Sequence, residues 1–353
     1  MLNKHLKKIK RTSNYIFDRS KYLRLDRNER TIPFSKKILN ELKKYVFSNS
    51  IQSYPVEKNN LKILIAKREK INVKYINIVP GTDAAIKYIF EIFSDKNRTL
   101  VSIYPTYGMV DVYSRIYKYK IIKVNLDNSV FNTKKFFTKK SSFIYIANPN
   151  QPSGNYILKN EILKILKKAK KKGTYVIIDE AYIDFSNFKS LAYLVQKYEN
   201  LIVLKSLSKS FGMAGLRIGY MIANPKLNKI FNTVRPIYDL SSFSIMVAEY
   251  FLKNIKIANS FAHNIKKEKK NLIKECLKRN LKFRSTETNF FYILIPSNKI
   301  KKIHNYMFKN KILVRSNYLG AFKNYGNSIR ITVGSKSQMN KFFNYFDRIY
   351  KEI

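Results

Sequence analysis

The chain has 353 residues, 45% of them hydrophobic, enough to bury two domains or one large α/β domain and too apolar for global disorder. No apolar run approaches the roughly 20 residues of a membrane span, and a single cysteine, Cys276, excludes an internal disulfide and argues against a structural zinc site. The formal charge of +46 invites a polyanion-binding reading, but the lysines are scattered through nearly every segment beside an excess of Ile, Asn and Tyr, the pattern of a codon-level bias.

Residues Met1–Lys10 are basic, with no apolar stretch or small-residue cleavage site after them. That argues against a secretory signal and for a cytoplasmic protein. Polar turns and one helix, Ser35–Phe47, fill the first 45 or so residues, an arm expected to complete a domain formed further on. β-branched and aromatic runs then predict strands at Tyr75–Val79, Thr99–Ile103, Lys120–Val124, Phe143–Ala147, Tyr175–Asp179, Leu201–Lys205 and Arg217–Ile222. Helical patterns at Asp83–Phe93, Gly108–Tyr117 and Glu161–Lys171 lie between them. Apolar strands alternating with helices predict a mainly parallel sheet covered on both faces, with ligand-binding residues in loops at the strand ends.

From about Ser241 the pattern changes. Helices near Ser242–Lys253 and Ala258–Arg279 lead into strands Phe290–Ile295, Ile312–Val314 and Ile329–Val333 and a closing helix, Lys336–Tyr350. The expected organisation is an arm (1–45), a large domain (46–240) and a smaller α+β domain (241–353). The lysine runs Lys167–Lys172, Lys266–Lys270 and Lys299–Lys302 read as solvated helix faces.

Four segments on predicted loops carry chemistry. In Pro80-Gly-Thr-Asp-Ala-Ala85, Gly81 allows a tight turn, Thr82 or Asp83 can cap the following helix, and free backbone N–H groups there suit a phosphate. Taken alone, the segment fits an ordinary capped helix better. Asn148-Pro-Asn-Gln-Pro-Ser-Gly154 is a rigid turn presenting amides, with a plain turn as the alternative. Asp179-Glu-Ala-Tyr182 ends a strand with a carboxylate at its buried end, which needs a partner such as a protonated ring nitrogen; an N-cap is the alternative. In Ser206-Leu-Ser-Lys-Ser-Phe-Gly-Met-Ala-Gly-Leu-Arg217, two serines and an arginine form an anion site. A lysine beside other cations there would have the lowered pKa that Schiff-base chemistry requires. A Ser/Gly-rich loop with incidental basic residues remains the plainer alternative.

In order and spacing together these segments resemble the pyridoxal-phosphate-dependent class I/II aminotransferases, specifically their histidinol-phosphate aminotransferase-like branch. The likeness runs from Leu25-Asp-Arg-Asn-Glu29 through Ser53-Tyr-Pro55, Tyr104-Pro-Thr-Tyr107 and the four segments to Arg330-Ile-Thr-Val-Gly334. It implies a fold-type-I transferase, α/β, with a mainly parallel sheet in a large domain beside a smaller α+β domain. It implies pyridoxal 5'-phosphate held covalently by Lys209, which also shuttles a proton, with Asp179 on the ring nitrogen and Tyr182 on the phenolic oxygen. Tyr107 and Ala181 would pack on the two ring faces, Gln151 would stand near the phenolic oxygen, and the Gln151–Pro152 bond would be cis. The phosphate would sit on Gly81, Thr82 and Asp83, with Ser206, Ser208, Arg217 and the Tyr54 of a partner subunit, which makes the enzyme a homodimer with shared sites. Arg330 and Arg315 would take the substrate anion, with Asn28 nearby. No metal is implied. The partners would be a small amino donor, possibly phosphorylated, and a 2-oxo acid, without membrane or specific nucleic acid.

Gln151 stands where the family has asparagine, adding a methylene at the ring contact. Asp26-Arg-Asn-Glu-Arg30 and Arg235-Pro-Ile-Tyr-Asp-Leu-Ser-Ser242 also depart from the branch, which leaves the substrate open. Two other readings compete: a decarboxylase of a phosphorylated amino acid on the same scaffold, and a basic nucleic-acid-binding protein on an inactive one.

Overall fold

The computed structural model describes residues 4–9, 17–46, 52–55, 59–93, 98–125, 133–137, 141–316 and 326–352. Strand β1 (Leu23–Arg24) precedes helices α1 (Lys36–Val46) and α2 (Asn59–Glu69). Phe47, the last residue of the expected first helix, lies outside the described residues. An alternating series follows: β2 (Ile76–Val79), α3 (Gly81–Ile92), β3 (Thr99–Tyr104), α4 (Gly108–Ile116), β4 (Lys120–Asn125), β5 (Phe143–Ala147), α5 (Lys159–Lys171), β6 (Tyr175–Asp179), β7 (Leu201–Ser206) and β8 (Gly219–Ile222). Then come α6 (Pro225–Val234), α7 (Ser242–Lys253), α8 (Lys256–Lys278), β9 (Phe283–Arg284), β10 (Phe290–Leu294), α9 (Ser297–Lys309), β11 (Ile312–Leu313), β12 (Arg315–Ser316), β13 (Ser328–Thr332) and α10 (Lys336–Glu352).

Seven strands form one sheet in the order β2-β8-β7-β6-β5-β3-β4, in which β8 alone runs against its neighbours. Period-two alternation sends side chains to two different cores. Val176, Ile178, Leu201 and Val203 join the cluster under α2, α5 and α7, while Ile177, Ile202 and Leu204 join the one under α3 and α4. Continuous β-branched strands are therefore buried on both faces, as their composition predicts.

A second, antiparallel sheet has the order β12-β13-β10-β9, and β1 pairs in parallel with β11. Its core joins Phe290–Ile293 to Phe342, Phe343 and Phe346 of α10 and Leu272 and Cys276 of α8. Side chains of α7, among them Ile245, Val247, Ala248 and Phe251, pack instead with the large sheet. The single strand expected at Ile312–Val314 is in fact a crossing point. The chain pairs with β1, passes Val314, and then pairs with β13.

Two expectations are corrected. Neither Thr82 nor Asp83 caps α3, because the helix already begins at Gly81 and has no side-chain cap. The Lys266–Lys270 run is not wholly solvated: Lys269 is buried and donates to the Thr286 carbonyl at 2.5 Å, and Lys266 donates to that of Ser186. No described helix is long and apolar enough to cross a membrane.

Candidate active site

The C-terminal ends of the parallel strands converge on a cavity of about 360 Å³, within the range of small-ligand sites. The end of β2 supplies the turn into α3 and the end of β3 supplies Tyr107. Past β5 lies Gln151, β6 ends in Asp179, and β7 ends in Ser206. Of the residues singled out in the sequence, Asn28, Thr82, Asp83, Tyr107, Gln151, Asp179, Tyr182, Ser206, Ser208, Lys209, Arg217, Arg315 and Arg330 line this one cavity. Gly81 adjoins it at the start of α3, its φ of +80° being one that glycine adopts without strain. Tyr54 does not line it. That residue is 75% exposed and stacks on Tyr238 at 4.3 Å. Gln151–Pro152 is cis, as are Tyr104–Pro105 and Asn148–Pro149.

Asp179 is buried at the floor. Its Oδ2 accepts from the Tyr145 phenol at 2.8 Å and its Oδ1 from the Ala181 N–H at 3.0 Å. Burial pushes its acid upward, and these donors and Lys209 only partly offset that. The Lys209 Nζ donates to the Arg27 carbonyl at 3.4 Å and lies 5.4 Å from the centre of the Tyr182 ring. Tyr182 accepts at its hydroxyl from Asn28 Nδ2 at 3.0 Å. Asn28 has a left-handed backbone (φ 57°), held by its N–H to Thr332 Oγ1 and by Asn289 to its carbonyl. The arm, the Tyr182 loop and β13 thus meet at one residue. Tyr107 donates to Asp83 at 3.4 Å, and burial, then Asp83, push its phenol up.

Arg330 is 3% exposed; its Nη2 donates to the Asp26 carbonyl at 2.7 Å, and its guanidinium lies over Phe290. Arg315 is its direct cross-strand partner in β12–β13.

Behind the Lys209 loop lies a charge network that the sequence reading missed. Lys205 is buried between Glu69 (2.8 Å) and Glu180 (3.5 Å). Arg68 pairs with Glu69 and, at 2.7 Å, with Asp184, which accepts from Ser210 beside Lys209. Tyr220 donates to Glu69 at 2.7 Å. Burial opposes every charge here. It is outweighed at Glu69 by Lys205 and Arg68, which hold its acid low, and at Lys205 by the three carboxylates, which hold its ammonium charged. For Glu180 burial wins, and its acid is raised.

These residues fit pyridoxal phosphate. The first turn of α3 has no side-chain cap, so its N–H groups stay available to an anion. A Cβ on Gly81 would come within 2.7 Å of Arg217 Nη2, so glycine keeps that cradle open. A buried carboxylate, Asp179, and an amine, Lys209, line the same cavity. Fold and site define a fold-type-I pyridoxal-phosphate enzyme.

Residues 21–346 match the Aminotransferase class I and II family, and the chain belongs to it. Among curated relatives it is 32% identical over 323 residues to the histidinol-phosphate aminotransferase of Clostridium novyi (strain NT), covering 90% of this chain and 88% of that one. In fold it is similar to the histidinol-phosphate aminotransferase from Clostridium acetobutylicum, with a TM-score of 0.83, 22% identity, and 94% and 100% of the two chains covered. L-threonine-O-3-phosphate decarboxylase from Porphyromonas gingivalis shares the fold at TM-score 0.79 and 20% identity over 93% and 99% of the chains. Fold alone therefore leaves both reaction classes open, and the family and the curated relatives decide between them. The chain is a pyridoxal-phosphate-dependent aminotransferase, and the decarboxylase alternative is not favoured.

Proposed function

We propose that this aminotransferase takes its amino group from a phosphorylated amine, L-histidinol phosphate in the first instance, and passes it to a 2-oxo acid, in histidine biosynthesis. The observation that carries the substrate class is the facing pair Arg315 and Arg330, opposite each other on β12 and β13 and both lining the cavity that holds Lys209. Guanidinium groups bind phosphate and carboxylate in a bidentate fork, so one site serves both half-reactions. The curated relatives named for that substrate support the reading.

Bound pyridoxal phosphate supplies the electron sink for the substrate Cα. In the proposed roles Lys209 holds the cofactor covalently through Nζ and, when displaced, carries the proton at Cα. Asp179 pairs with the ring nitrogen. Tyr182, oriented by Asn28, donates to the phenolic oxygen with Gln151 nearby, and Tyr107 covers a ring face. Gly81, Thr82, Asp83, Ser206, Ser208 and Arg217 hold the phosphate. A partner subunit's copy of Tyr54 completes that cradle in a cytoplasmic homodimer; the exposed Tyr54, Ile237 and Tyr238 side chains suit burial against a second copy. The domain division proposed is an arm (1–45), a large lobe and a small lobe, with the boundary inside α8 rather than at 241, since α7 packs on the large sheet.

The test is a half-reaction under single-turnover conditions. Histidinol phosphate should convert the cofactor to its pyridoxamine form far faster than histidinol does. Equal rates for the two amines would sink the phosphate reading.

A further inference from the structure

We propose that Tyr145 is a positioning residue of the cofactor site, its phenol holding the Asp179 carboxylate ionised and aimed for the ring nitrogen. The inference rests on the reading of Asp179 as the partner of that nitrogen.

Tyr145 is fully buried in β5, next to β6 in the large sheet. Its Cα neighbour across the strands is Ile177, two residues before Asp179. A side chain as long as tyrosine is needed to reach the carboxylate diagonally along the sheet. It does so at 2.8 Å. Packing alone gives no reason for a hydroxyl there: Phe143, on the same strand and in the same core cluster, has none. A buried phenol needs an acceptor, and here that acceptor is the charged group of the site.

The geometry also limits what Asp179 can do. Tyr145 occupies one site on Oδ2 and the Ala181 N–H one on Oδ1, so each oxygen keeps capacity for another donor and neither can turn away. Lys209, on the loop after β7, also favours the ionised form. Asp83 of α3 opposes it, and the phenols of Tyr107 and Tyr182 share the cavity. A donor to a carboxylate stabilises the ionised form, so removing it lets burial carry the acid further up.

The experiment measures the cofactor Kd by equilibrium dialysis of apoenzyme between pH 5 and 9 for the native chain, Tyr145→Phe and Asp179→Asn. Affinity should fall on acidification as Asp179 takes up a proton, and Asp179→Asn should remove that limb. Tyr145→Phe keeps the ring in the core, and the limb should move up by about one pH unit, equivalent to about tenfold weaker binding below it. A purely structural role for the phenol would weaken binding equally at all pH values without moving the limb, and that result overturns the proposal. If the limb survives in Asp179→Asn, the ring-nitrogen reading falls and the proposal with it. If Asp179→Asn removes the limb and Tyr145→Phe leaves it in place, the proposal alone fails.

Discussion

Lys205→Met tests whether the network behind the Lys209 loop supports the fold. The side chain has similar reach but no charge, and it would sit between Glu69 and Glu180, whose side chains are 5% and 1% exposed. Removing one member of a buried ion pair costs about 3–5 kcal/mol, because the remaining carboxylates keep their desolvation cost without the compensating cation. Arg68 still faces Glu69, and Ser190 and the Leu191 N–H still hold Glu180, which favours the lower end. At roughly 2.1 cal/mol/K per residue, the unfolding entropy is about 0.74 kcal/mol/K, so the melting temperature should drop by about 4–7 °C. The sign with pH follows. Without Lys205 the native carboxylates bind protons more readily than the unfolded ones, so the deficit should be largest near pH 8 and shrink toward pH 5. Calorimetry of the apoenzyme at both pH values measures this, with Lys205→Met/Glu69→Gln expected to recover part of the loss. A deficit below about 1 kcal/mol, or one independent of pH, would mean that the network contributes no more than a surface pair.

Lys209→Ala should abolish the visible band of the bound cofactor and reduce turnover by at least about a thousandfold while leaving the circular dichroism spectrum unchanged; absorbance and steady-state kinetics check both. Gly81→Ala forces an L side chain into a φ of +80° with its Cβ 2.7 Å from Arg217 Nη2, so affinity for pyridoxal phosphate should fall at least about tenfold, and that for unphosphorylated pyridoxal much less. Arg330→Gln should raise KM for the phosphorylated amine about a hundredfold, because a charge-assisted bidentate contact is lost. Burial lowers Lys269 to about 8, so its ammonium is carried at a cost below that pH, and the cost disappears as pH rises through the unfolded value near 10.4. Lys269→Met should therefore raise the melting temperature at pH 7, and thermal scans should show the gain fading between about pH 8 and 10.

The large sheet was legible because its strands, all but the edge strand β4 largely buried on both faces, are written mainly in β-branched and aromatic residues, and the candidate site because each of its loops follows such a strand. Helices α2 and α6 escaped for different reasons. Apolar residues of α2 fall on more than one face, Leu61, Ile65 and Ala66 being buried and Ile63 56% exposed. For α6 a signal existed in Asn224-Pro225, an N-cap with proline at the first helical position. Lys205 could not be told from its many exposed counterparts. Its burial depends on Glu69, which is 136 positions away in the chain, and on Glu180, and no local pattern encodes that pairing. Lys269 differs from the rest of its run for the same reason.

At the proposed substrate end the sequence singles out Arg315 and Arg330 but not their arrangement. Ile312-Leu-Val-Arg315 predicts one strand, whereas the chain changes sheets at Val314, and that change sets Arg315 against Arg330. Two like charges directly across an antiparallel pair repel, and of the two Arg330 is buried against Phe290 while Arg315 is half-buried. An anion bound between them would relieve that repulsion. The same crossing ties β11 to β1, and the arm continues from β1 into Asp26, whose carbonyl accepts from Arg330, and Asn28, which orients Tyr182. Arg330, the arm and Tyr182 are therefore linked by two hydrogen bonds, Arg330 to the Asp26 carbonyl and Asn28 to the Tyr182 hydroxyl, so a disturbance at Arg330 should be felt at Tyr182 as well as in substrate affinity.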